Sequence, residues 1–85
     1  MSSEITVTVK FFAATRDAVG MARETRDVPK GTTADQLLDI LKQDHPALDE
    51  PSKQIIVAVN KETGKGDRPL KDGDEVALLP PVSGG

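Results

Sequence analysis

The chain has 85 residues, a net charge of −3 and no cysteine. That length fits one small domain able to fold without staples, and the missing thiols exclude a disulfide framework, a thiolate metal site and a catalytic cysteine, which suits a reducing cytoplasm. Charges of both signs are spread along the chain, only Phe11 and Phe12 are aromatic, and no apolar run approaches the ~20 residues of a membrane span, so neither a nucleic acid nor a membrane is an expected partner.

The start, Met1-Ser2-Ser3-Glu4, has no basic stretch leading into an apolar one, and no signal peptide is expected. Residues 5–11 alternate strictly. Ile5, Val7, Val9 and Phe11 share one face, and Thr6, Thr8 and Lys10 share the other, which predicts a half-buried strand. From Phe12 to Gly20, the spacing of Ala14, Asp17 and Ala18 predicts one or two helical turns closed by Gly20. The charged segment 21–28 reads as an edge strand, stopped by Pro29-Lys30-Gly31.

The strongest helix signal comes next. Thr33 and Gln36 form a capping box, and Asp35 sits favourably in the first turn. Ala34, Leu37, Leu38 and Leu41 make one apolar stripe, widened by Ile40. Pro46 restricts His45 and ends the helix near Asp44. Residues 46–54 read as a connection. Residues 55–59, Ile-Ile-Val-Ala-Val, are apolar on both parities, as for a strand in the middle of a covered sheet. A turn at 64–67, a very short edge strand at 68–70, a tight turn at 72–74 and a last strand at 75–79 complete the body, and Pro80-Pro81 stops the strand.

One helix covering one sheet face is the arrangement that buries both apolar stripes. The expected fold is an α+β roll with a mixed sheet of four to five strands and one main helix. Its expected core is Ile5, Val7, Val9, Leu37, Leu38, Leu41, Val57, Val59, Val76 and Leu78.

The body offers little chemistry. Gly64-Lys65-Gly66 lacks the leading glycine and the following Ser or Thr of a phosphate loop, since Val59 and Gly66 hold those places, so a turn is the expected role. His45, the single histidine, has no visible nucleophile or orienting partner. The pairs Asp72/Asp74 and Asp49/Glu50 lie in turns, where Asp bonds backbone. Neither a metal site nor a bound cofactor is expected.

The tail differs. Residues 1–79 read as the domain and 80–85, Pro80-Pro81-Val82-Ser83-Gly84-Gly85, as an extended tail with a flexible Gly-Gly end. At ~3.3 Å per residue it spans roughly 20 Å. The prolines keep its base extended, and the glycines put no Cβ beside the last carbonyl. A Gly-Gly end alone can be no more than a frayed terminus. Here it follows directly on the last strand of a compact roll, a form suited to threading an activating site.

With that end, the chain resembles the ubiquitin-like sulfur carriers, above all the small subunit of molybdopterin synthase (the MoaD family). The matching stretches are 10–20, from Lys10-Phe11-Phe12-Ala13-Ala14 to Gly20, then Val57-Ala58-Val59-Asn60, and 70–85, from Leu70-Lys71-Asp72-Gly73-Asp74 to Gly84-Gly85. The resemblance implies a ubiquitin-like β-grasp fold with the first and last strands adjacent and parallel. It implies a carrier rather than an enzyme, with Gly85 adenylated by an E1-like enzyme that uses ATP. A sulfurtransferase or other sulfur donor then yields a thiocarboxylate, which enters the large synthase subunit and gives sulfur to a pterin precursor.

The chain also resembles the small archaeal modifier proteins, joined through the terminal glycine to substrate lysines. Both readings stay open, as does an interaction domain with an inert tail. The expected contact residues are Gly84, Ser83, Val82, Pro81, Pro80 and Leu79, with Phe12 and Ile56 on the sheet face away from the helix. Phe12 tucked under the short helix is the competing expectation. Lys53, Lys61 and Lys65 are candidate acceptors of conjugation.

Overall fold

The computed structural model describes residues 3–48, 55–64 and 66–79. Strand β1 (Glu4–Phe11) leads into a short helix α1 (Ala14–Val19), then β2 (Arg23–Pro29), the main helix α2 (Ala34–Asp44), a single 3-10 turn (Pro46–Leu48), β3 (Ile56–Val59), β4 (Glu62–Thr63) and β5 (Glu75–Leu79). The five strands form one sheet in the order β2-β1-β5-β3-β4. β1 runs antiparallel to β2 and parallel to β5, and β5 runs antiparallel to β3. The mixed sheet with one covering helix is the architecture the residues predict, and the parallel first and last strands are what the family resemblance implies.

Local chemistry explains the elements. The Thr33 side chain accepts from Gln36 N–H at 3.1 Å, and the Gln36 side chain accepts from Thr33 N–H at 3.0 Å, so both halves of the capping box form. α2 ends at His45, just before Pro46. Gly20 closes α1 at φ 87°, a left-handed conformation that costs a glycine little. Gly66 presents its carbonyl to Asp35 N–H at 2.9 Å, and a Cβ at position 66 would overlap the Asp35 carboxylate. Gly66 thus docks on the first turn of α2.

The core lies between α2 and one sheet face. Val7, Val9, Val76, Leu78, Leu37 and Leu41 are fully enclosed, and Phe11, Val28, Ala34, Leu48 and Leu70 join them. Val57 and Val59 are only half-buried at its margin, because β3 lies next to the two-residue β4, close to an open edge. Leu38 is half-buried on α2 beside the enclosed Leu37 and Leu41. Apolarity on both parities of β3 points to a sheet covered on two faces. The helix covers one, so Ile56 and Ala58 face outward.

A second departure lies after β3. Residues 68–70 do not add a strand. Pro69 makes one isolated bridge to Thr33, and Leu70 N–H donates to Thr32 O at 2.8 Å. The outer strand is β4, because Asn60 and Lys61 both take positive φ, 50° and 71°, and turn the chain back at once. Asp72 and Asp74 behave as turn residues. Asp72 accepts from Thr6 N–H at 2.8 Å, and Asp74 accepts from Lys71 N–H at 2.8 Å and from the Asn60 amide at 3.0 Å. They fix the start of β5 against β1.

Candidate functional site at the root of the tail

Every strand residue with its side chain on the outward face belongs to one pleat. On β1 these are Thr6, Thr8 and Lys10, and the register sets Glu75, Ala77 and Leu79 of β5 and Ile56 and Ala58 of β3 on the same side. The face is polar at one end, where Lys10 Nζ lies 3.1 Å from Glu75 Oε2. At the other end it is apolar. Leu79 pairs with Ile56 across β5 and β3, and both are half-buried. Phe12, directly after β1, is 43 % exposed, which rules out the enclosed position under α1.

The β1–β2 register, extended by two residues, sets Met21 opposite Phe12, and Phe11 N–H already bonds Ala22 O there at 2.8 Å. Met21, 40 % exposed, is the other large apolar residue left open among the described residues. Met21, Phe12, Leu79 and Ile56 therefore lie at the same end of four neighbouring strands, where β5 gives way to the tail. Exposed apolar side chains gathered in one place mark an interaction surface.

Leu79 is the last described residue. Pro80, Pro81, Val82, Ser83, Gly84 and Gly85, with Lys53, Lys65, Asp49 and Glu50, lie outside the described residues. Lys61 is exposed in the β3–β4 turn.

His45 is held structurally. Its Nε2 is 3.2 Å from Glu24 Oε1, and its ring meets Phe11 edge-on at 6.2 Å. Beside it, Arg26 bridges Glu24 and Asp44 and ties β2 to the end of α2. Partial burial alone would lower the Arg26 pKa. The hydrogen bond to Asp44 and the charges of Glu24 and Asp44 outweigh it and raise the pKa, so the guanidinium stays charged. Among the described residues no group of His, Asp and Glu side chains could hold a metal ion, and no helix is long and apolar enough to cross a membrane.

One residue here escaped the sequence reading. Thr15 is 5 % exposed. Its hydroxyl accepts from Phe12 N–H at 2.9 Å and lies 2.9 Å from Leu78 O, in the strand that feeds the tail. The available signal was a threonine three residues after Phe12, the spacing of a local hydroxyl-to-backbone bond. Its partner 63 positions away gave none.

The sheet order, the single covering helix and the parallel pairing of first and last strands define a ubiquitin-like β-grasp protein. The model of the ThiS family matches residues 9–85, and the chain belongs to that family. It is 38 % identical over 81 residues to the molybdopterin synthase sulfur carrier subunit of Chlamydomonas reinhardtii, a match covering 93 % of this chain and 98 % of that one. It is also similar to the crystal structure of SAMP1 from Haloferax volcanii, with TM-score 0.80, 33 % identity, and 94 % and 99 % of the two chains covered. A third likeness is to the complex of subunits 1 and 2 of molybdopterin-converting factor from Helicobacter pylori. There the TM-score is 0.66 and the identity 32 %, with 95 % of this chain and 100 % of that one covered.

Proposed function

We propose that the chain is a sulfur carrier in molybdopterin synthesis whose working group is the carboxylate of Gly85. The observation that carries this reading is the likeness to a sulfur carrier subunit over nearly the whole length of both chains. The geometry agrees with it: the open apolar residues of the described body gather at the root of the tail.

A carboxylate is a poor acyl donor. An E1-like enzyme binds ATP, the Gly85 carboxylate attacks the α-phosphorus, and pyrophosphate leaves. The persulfide of a sulfurtransferase then attacks the carbonyl carbon and expels AMP, and a second thiol cleaves the resulting acyl disulfide, which leaves the thiocarboxylate and a disulfide. The large subunit of molybdopterin synthase receives the loaded tail and passes its sulfur to the pterin precursor. This chain contributes the acyl group and the docking surface, and its partners contribute the catalytic side chains. Phe12, Ile56 and Leu79 contact the partner, while Pro80 to Gly84 deliver the end. The H. pylori complex of subunits 1 and 2 supports a large-subunit partner.

The test is intact mass before and after incubation with an E1-like enzyme, ATP and a sulfur donor. The untreated mass establishes Gly85 as the terminal residue. A gain equal to the difference between sulfur and oxygen, mapped to the last peptide, is the expected result. A folded chain that gives neither adenylate nor sulfur adduct with any such enzyme would defeat the proposal.

The likeness to SAMP1 favours a second use of the same adenylate, conjugation to lysines of other proteins. Substrates bearing a Gly-Gly remnant on lysine would establish it.

A further inference from the structure

We propose that Thr15 is a positioning residue: its buried hydroxyl completes the last rung between β1 and β5, and so fixes both where the tail leaves the sheet and how Phe12 is presented. In a parallel pair the bonds recur every two residues along each strand. Thr8 N–H donates to Asp74 O at 3.0 Å, and the pairs from Thr8↔Glu75 to Phe11↔Leu78 keep this register. Lys10 N–H then faces Val76 O, and Phe12 N–H faces Leu78 O. The opposite edge of β5 agrees, since Asn60 N–H donates to Glu75 O at 2.8 Å. Odd-numbered carbonyls of β5 thus serve β3, and even-numbered ones serve β1.

At the rung between Phe12 and Leu78 the hydroxyl of Thr15 is interposed. It accepts from Phe12 N–H at 2.9 Å and reaches Leu78 O at 2.9 Å. Phe12 O lies 2.8 Å from the hydroxyl but already accepts from Thr15 N–H at 3.0 Å. A hydroxyl has one proton; both carbonyls lie within its reach, and Leu78 O is the one whose ladder partner, Phe12 N–H, bonds elsewhere. The next rung would need an N–H at position 80 to meet Phe12 O, and Pro80 has none. The parallel ladder therefore closes on a side chain.

That one hydroxyl holds the backbone of the exposed Phe12 ring and the carbonyl two residues before the tail. Under the carrier reading, on which this inference rests, a partner must grip the ring and receive the tail at a fixed separation. Thr15 sets that separation without touching either partner or the reacting carbonyl.

The test compares Thr15→Val, which keeps the shape and removes the hydroxyl, with Thr15→Ser, which restores it. Both are made in the full chain and assayed well below the melting temperature. Amide hydrogen exchange by NMR reads the anchor directly: Phe12 N–H should exchange faster in Thr15→Val and regain protection in Thr15→Ser. In adenylation by the E1-like enzyme, KM for the carrier should rise roughly three- to tenfold in Thr15→Val, the scale of one hydrogen bond, with the loss in KM rather than kcat and recovery in Thr15→Ser. Unchanged Phe12 exchange in Thr15→Val would overturn the anchor. Faster exchange with unchanged KM would reduce Thr15 to a stabilising residue and overturn its positioning role. Failure of the parent chain to be adenylated would instead defeat the carrier reading, and the exchange measurement would still decide the anchor.

Discussion

Along β5 the side chains alternate between two environments. Val76 and Leu78 point toward α2 and are fully enclosed by Val7, Val9, Phe11, Leu37 and Leu41. Ala77 and Leu79 point the other way, beside Ile56 and Phe12, and remain partly open. Both faces are apolar near the tail, so composition does not distinguish them. What differs is the cover. A helix supplied within the chain seals the first face and makes the domain stable. Among the described residues no helix covers the second, and under the proposed function another protein takes that place. Changes on the two faces should therefore separate stability from activity.

The largest effect is expected at neither face. Deleting Gly85 should abolish adenylation and leave thermal unfolding unchanged, as read by pyrophosphate release and calorimetry on the same sample. On the sealed face, Leu37→Ala should cost about 2–5 kcal/mol in denaturant titration, a large part of the ~5–15 kcal/mol typical of a folded domain. On the open face, Phe12→Ala should change stability by less than about 0.5 kcal/mol. It should nevertheless weaken binding to the large subunit by about 2 kcal/mol in isothermal titration, as for an aromatic anchor. A Phe12→Ala chain that unfolds but binds normally once folded would invert the comparison. The smallest effect belongs to the ion pairs of Arg26 with Glu24 and Asp44. Arg26→Met should cost below about 1 kcal/mol, and the difference should shrink in high salt.

Much of this division is written in local sequence. The alternation of residues 5–11 and the Thr33 and Gln36 box each act within a few residues, so neighbouring side chains suffice to place β1 and α2. Asp72 and Asp74 are legible as turn residues, but their bonds to Thr6 and Asn60, which fix the start of β5, are not. The outward apolar residues could be assigned a face by parity, but not a degree of exposure. Phe12 under α1 and Phe12 in the open are equally compatible with residues 12–20. The β4 strand was missed because Asn60 and Lys61 make the turn with two left-handed residues and no glycine between them. Thr15 was hidden for a different reason. Its role depends on a carbonyl in β5, brought near by the parallel pairing of the first and last strands, and on the missing N–H of Pro80. The tail itself was legible as chemistry, through Gly84-Gly85, and not as geometry.

The most direct measurement follows the sulfur to its destination. The thiocarboxylated chain is mixed with the large subunit of molybdopterin synthase and the pterin precursor, and intact mass and pterin product are read together. The account predicts that the chain returns to its original mass as sulfur appears in the pterin. A chain that keeps its sulfur, or leaves as a lysine conjugate with no sulfurated pterin formed, would contradict the carrier role.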